Sequence, residues 1–124
     1  MNAGVIAGLV VAGALGAPAR YLLDGFVQDR TTGAFPWGTF AVNATGAFVF
    51  GLLAGAALYH AFPSTPKTIL ATGFCGAYTT FSTFSFETVR LLEDGATTEA
   101  VLNVALSLVV CLTAAATGVA LAAL

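Results

Sequence analysis

Between residues 73 and 87 the chain reads GFCGAYTTFSTFSFE, and its centre is a doubled triplet, Thr80-Phe81-Ser82 followed by Thr83-Phe84-Ser85. On a helix of 3.6 residues per turn a period of three rotates slowly, so each member of the triplet forms its own stripe. Phe81 and Phe84 share one face, and Glu87 follows three residues on, near the same line. Thr80 with Thr83, and Ser82 with Ser85, form flanking ridges of hydroxyls. A phenyl ring has a negative face and a positive edge. Ring edges aimed inward, beside hydroxyl donors, can partly replace the water around a small anion without trapping it. Conduction requires that compromise between admission and release. Plain core packing accounts for most phenylalanine pairs at this spacing, so the pair alone does not decide.

Other polar residues lie in apolar surroundings. Asn43 is followed by Thr45 and Gly46, and Arg20 stands four residues beyond Gly16. The cost of placing such groups in a membrane makes function the default reading for both. Asn103, Ser107 and Cys111 fall at i, i+4 and i+8, one face of a helix. Thr113 and Thr117 are expected to bond back to their own helix or to join neighbouring helices. Gly73, Gly76, Thr79 and Thr80 are poor helix formers clustered over eight residues. We expect a helix break there, with its freed backbone groups lining a cavity or holding an ion. Carbonyls suit a cation, and the amide end of the resumed helix suits an anion. An unbroken helix whose glycines permit close packing is the alternative.

These residues need elements to hold them. The chain has 124 residues, 58% hydrophobic and 8% charged, against roughly 25% charged in soluble domains. The class is an all-α integral membrane protein, a single domain over residues 1–124. Four apolar runs suit bilayer spans, about residues 2–23, 37–59, 67–92 and 100–124. The uncharged core of the first is expected to end at Pro18 and Arg20. Loops are expected at 24–35, 60–66 and 93–99, the last with an Asp94-Gly95 turn. No basic segment precedes the first run, which reads as a retained span.

A net charge of −2 with four basic residues gives no footprint for nucleic acid. Cys75 and Cys111 lie singly in apolar runs, which argues against a disulfide framework or zinc site. With Arg20 and Arg90 set aside, each side of the membrane is left with one basic side chain, so the positive-inside rule has little to act on. Such a chain can insert both ways, and opposed copies can pair. Small residues recur at Gly4, Gly8, Ala12 and Gly16, at Gly51 and Gly55, and at Ala114, Gly118 and Ala122. They mark close helix contacts, within one bundle or between copies.

Three segments, GAPARY at 16–21, PWGTFAVNATGAF at 36–48 and GFCGAYTTFSTFSFE at 73–87, carry a resemblance. Over its whole length the chain resembles the CrcB/Fluc family of fluoride channels. That resemblance implies a dual-topology antiparallel homodimer in the cell membrane, with two pathways exporting fluoride passively and without an organic cofactor. It implies that Phe81 and Phe84 are the ring pair of the pathway. Asn43 and the hydroxyls of Thr80, Ser82, Thr83 and Ser85 would lie nearby. Ser107 would continue a polar track on the fourth helix, Arg20 would stand near the aqueous vestibule, and Glu87 matches a third-helix glutamate. A structural sodium ion would be held by main-chain carbonyls at positions matching Gly76 and Thr79. Asn103 departs from the tyrosine of many members, and Cys111 is a weaker donor than a hydroxyl residue, so conductance or selectivity is expected to differ. A small proton-coupled multidrug antiporter is the alternative. It needs a carboxylate deep in the membrane, whereas the first two spans have none inside and Glu87 sits toward the end of the third. A membrane subunit without transport would use the same polar groups for packing only.

Overall fold

The computed structural model describes all residues from Met1 to Leu124, and every regular element in it is helical. Helix α1 runs Ala3–Gln28, opened by Asn2, whose side-chain oxygen accepts from the Val5 amide at 2.9 Å. The helix runs past the expected end of the first span near residue 23: Pro18 lies inside α1, and five residues of the expected first loop are helical. Proline inside a membrane helix is tolerated where neighbouring groups compensate for the lost ladder bond. The far end is closed instead by Arg30, which donates to the Phe26 carbonyl at 3.0 Å and stacks 3.6 Å above the Phe26 ring. A cation there suits the negative end of the helix.

Helix α2 (Trp37–His60) and the last helix, α6 (Thr97–Ala122), form the most extensive pairing in the molecule. Glycines permit it. A Cβ on Gly51 would stand 2.2 Å from the Ala115 carbonyl oxygen, and one on Gly118 would stand 2.4 Å from that of Phe48. A His60 ring nitrogen lies 2.6 Å from the Ala122 carbonyl oxygen, tying the two C-terminal ends together. We expect Gly118→Ala to lower stability in detergent by about 1–3 kcal/mol, the usual cost of overpacking. Gly25→Ala, which meets nothing within 4 Å, is the control. Equal thermal midpoints for both variants would show that close backbone approach at Gly118 contributes nothing.

Between α2 and α6 the chain is interrupted. A short α3 (Ser64–Thr68) passes into a π-helix (Ile69–Cys75), one further turn, α4 (Gly76–Tyr78), two extended residues, and α5 (Phe81–Glu93). The expected break is present, but later and shorter than the glycines suggested. It consists of Thr79 (φ −80, ψ 161) and Thr80 (φ −148, ψ 123). β-branched threonines accept extended backbone readily, and Thr80 caps α5. Gly73 stays helical and serves packing instead: its Cβ would meet Ala12 at 2.9 Å. The small stripe of α1 likewise faces this segment within the chain, Gly8 against Ile69 and Gly16 against the Phe74 carbonyl.

The second and third loops are shorter than expected, because helix resumes at Ser64 and at Thr97. Helices α1, α2 and α6 are each long and apolar enough to cross a membrane. Only 18 of 124 residues are buried, so most large apolar side chains face outward, as a bilayer allows. Thr113 and Thr117 bond back to the carbonyls of Val109 and Thr113, both at 2.7 Å, as expected.

Candidate functional site

The interruption is held open by one amide. Thr80 donates its backbone N–H to Asn43 Oδ1 at 2.8 Å, and Asn43 Nδ2 donates to the Thr80 carbonyl at 2.9 Å. In a continuous helix the Thr80 N–H would close on Gly76, four residues back. Similarly, the Thr83 N–H that would close on Thr79 goes to the Thr80 hydroxyl at 3.1 Å. The donors that would serve the Gly76 and Thr79 carbonyls are therefore directed elsewhere. These are the two positions at which the resemblance implies a cation.

Beside the break lies an open cavity of about 700 Å³ between α2, the π-helix, α4, α5 and α6. Asn43, Thr79, Thr80 and Ser107 supply polar groups, and Phe50, Phe81 and Phe84 supply rings, in a wall that is otherwise apolar. The rings of Phe81 and Phe84 stand 5.8 Å apart between centroids at a tilt of 42°. Phe81 is 79% exposed, projecting from the surface of the chain. Behind Ser107, the polar face of α6 is ordered: Asn103, 1% exposed, donates to the Thr88 hydroxyl at 2.9 Å, and Ser107 donates to Asn103 Oδ1 at 3.5 Å. Cys111 continues this face into the cavity.

Not every candidate joins it. Ser82, Thr83 and Ser85 do not line this cavity. Thr80 is the cap of α5 and not part of its helical repeat, so the expected ridge of Thr80 and Thr83 becomes a local cluster. In it the Thr80 hydroxyl donates to Thr83 Oγ1 at 3.0 Å and lies 3.3 Å from Ser82 Oγ. Arg20, half-buried on α1, also stands outside the cavity lining. Glu87 accepts a hydrogen bond from the Thr39 hydroxyl and lines a second cavity of about 390 Å³ with Phe86, Arg90 and Asp94. Sequence reasoning missed Thr39 and Thr88. Thr39 was findable, because it precedes Asn43 by four residues and so shares its face of α2.

These groups fall within a single family match. A model described as CrcB-like protein, Camphor Resistance (CrcB), matches residues 7–119. The chain belongs to the CrcB family. A relative of this CrcB chain from Frankia casuarinae, named fluoride-specific ion channel FluC 1, is 52% identical over 120 residues, covering 92% of this chain and 93% of its own. One of the same name from Streptomyces avermitilis is 52% identical over 112 residues, covering 90% of each. The fluoride-specific ion channel FluC of Citrifermentans bemidjiense is 48% identical over 115 residues, covering 92% of this CrcB chain and 93% of its own. With three apolar helices of spanning length, this CrcB chain is a multi-pass membrane protein.

Proposed function

We propose that this chain is a fluoride-selective channel that lets cytoplasmic fluoride leave the cell passively and so confers fluoride resistance. The observation that carries the reading is the shared wall of the large cavity. Two tilted rings, the Asn43–Thr80 pair and Ser107 line one space, in a chain about half identical to proteins named for fluoride conduction. Phe81 and Phe84 offer ring edges, and Asn43, Thr80 and Ser107 hold the polar wall. Ser82 and Thr83 support the cap region, Ser85 follows them on α5 beside the route, Glu87 stands toward the end of α5, and Arg20 acts near the aqueous vestibule.

The working unit in this reading is an antiparallel homodimer of dual topology. An open cavity and a 79% exposed Phe81 on one face support a second copy as its cover. The Gly76 and Thr79 carbonyls would hold a structural sodium ion, which supplies a fixed positive charge at the junction. No covalent step and no organic cofactor is needed. Hydrogen fluoride crosses membranes and dissociates inside, and a potential of about 100 mV, negative inside, drives the anion out with about 2.3 kcal/mol. The antiporter alternative lacks its carboxylate: Glu87, the acidic residue nearest the large cavity along α5, is engaged by Thr39 toward the outer end.

The test is release of fluoride from liposomes holding the purified protein, with a potassium ionophore to carry countercharge and an electrode as detector. Fluoride is expected to leave far faster than from protein-free liposomes, and chloride far more slowly. Release at the protein-free rate rejects the channel, and equal chloride release rejects its selectivity.

A further inference from the structure

Helix α5 carries both Phe81 and Phe84, and polar side chains of its neighbours tie it in place. At its start Thr80 is held by Asn43. One turn beyond Phe84, two adjacent residues reach different helices. Glu87 accepts from the Thr39 hydroxyl of α2, and Thr88 accepts from Asn103 Nδ2 of α6 at 2.9 Å. Successive residues on a helix are about 100° apart, so Glu87 lies about 60° to one side of Phe84 and Thr88 about 40° to the other. Phe84 therefore projects into the angle between α2 and α6. Residues of both helices share its cavity, Asn43 and Phe50 from the first and Ser107 from the second.

Asn103 does not line the cavity. It is 1% exposed, on a helix whose other side chains are mostly apolar. A buried amide costs free energy unless it is bonded, and the bonds here have a fixed sense. The Thr88 hydroxyl gives its only proton to the Phe84 carbonyl at 2.8 Å, so toward Asn103 it can only accept. That sets the amide, with Nδ2 toward α5 and Oδ1 toward the Ser107 hydroxyl, 3.5 Å away. The shorter bond thus runs to α5, at the turn that begins with Phe84.

We propose that Asn103 is a positioning residue: through Thr88 it sets the rotation of α5 about its own axis and so aims the Phe84 ring into the anion route. This rests on the channel reading above. Side-chain tips lie about 5–6 Å from a helix axis, so a rotation of about 20° moves a ring by about 2 Å. The Glu87 bond alone ties this turn on one side only. Asn103 meets no anion itself; it acts by holding the other side. A neutral hydrogen bond of ordinary net strength shifts the balance between two orientations by about three- to tenfold.

The experiment compares wild type, Thr88→Ser, Thr88→Val, Asn103→Leu and the double variant Thr88→Val with Asn103→Leu. Fluoride release from liposomes and the thermal midpoint in detergent are measured for each. The fluorine resonance of 4-fluorophenylalanine placed at position 84 is recorded in fluoride-free buffer. Thr88→Ser keeps the hydroxyl and is expected to match wild type in all of these. Each single apolar variant strands one polar partner, so the midpoint falls and release slows about three- to tenfold. In the double variant neither partner is polar, so the midpoint returns toward wild type. Its release nevertheless stays slow, and its resonance is shifted or broadened. Release that recovers together with the midpoint overturns the proposal, because Asn103 would then serve packing alone. So does an unchanged resonance in the double variant, or wild-type release in either single variant. If the midpoint of the double variant stays low, the resonance, read on folded protein below the transition, decides. If wild type itself releases nothing, the channel reading falls, while the resonance still shows whether Asn103 aims the ring; if wild type conducts and the variants do not differ from it, the role of Asn103 alone falls.

Discussion

Replacing Asn43 by alanine is expected to cut fluoride release at least tenfold and to destabilise the subunit by about 2–6 kcal/mol. The reason is the double bond to one residue. Asn43 takes the Thr80 N–H and supplies a donor to the Thr80 carbonyl, and Thr80 is buried. Removing the amide strands both backbone groups at a place where each unsatisfied group costs about 1–3 kcal/mol. The chain has one escape, which is to close the helix by returning the Thr80 N–H to Gly76. That relieves the cost but erases the extended break and, with it, the carbonyls proposed for sodium. Either outcome alters the wall of the cavity. Asn43→Asp separates the two halves of the latch, because a carboxylate accepts from the Thr80 N–H but cannot donate to its carbonyl. Its release rate should fall between wild type and alanine. Efflux and thermal unfolding in detergent, both unchanged in Asn43→Ala, would show that the break holds itself.

What could be read from the sequence was what periodicity and cost encode. The face formed by Asn103, Ser107 and Cys111 follows from spacing alone, and it is the face that α6 turns toward Thr88 and the cavity. The back-bonding of Thr113 and Thr117 follows from local chemistry. Asn43 was marked by the cost of a buried amide, although its partner was not, because a backbone group thirty-seven residues away leaves no trace in composition. The location of the break was misjudged for a related reason. Gly73 lowers helix propensity, yet α1 presses against it so closely that its lack of a side chain is used for contact. The first span was expected through Pro18, as found, but its end was placed five residues short, because the polar composition after residue 23 reads as loop while α1 continues to Gln28. The hydroxyl ridges failed because a stripe argument assumes that every member is helical. Thr80 is not, so the triplet repeat begins one residue later than it looks.

Phe81→Ile is expected to separate conduction from packing most cleanly. Phe81 is 79% exposed on the isolated subunit, so its ring contributes little to the subunit's own core, and an exposed substitution usually stays within about 0.5 kcal/mol. The side chain nevertheless lines the cavity and stands 5.8 Å from Phe84. Isoleucine keeps much of the bulk but has no ring quadrupole, hence no electropositive edge. Fluoride release should therefore drop tenfold or more while the thermal midpoint in detergent stays near wild type and chemical cross-linking still captures the proposed homodimer. Phe84→Ile should differ in kind, because Phe84 is half-buried and its loss should lower both release and stability. Pure packing predicts the same order of stability costs, larger at Phe84 than at Phe81, but little change in release for either variant. A normal release rate in Phe81→Ile would leave the ring pair as structure and move the selectivity of the route to Asn43, Thr80 and Ser107.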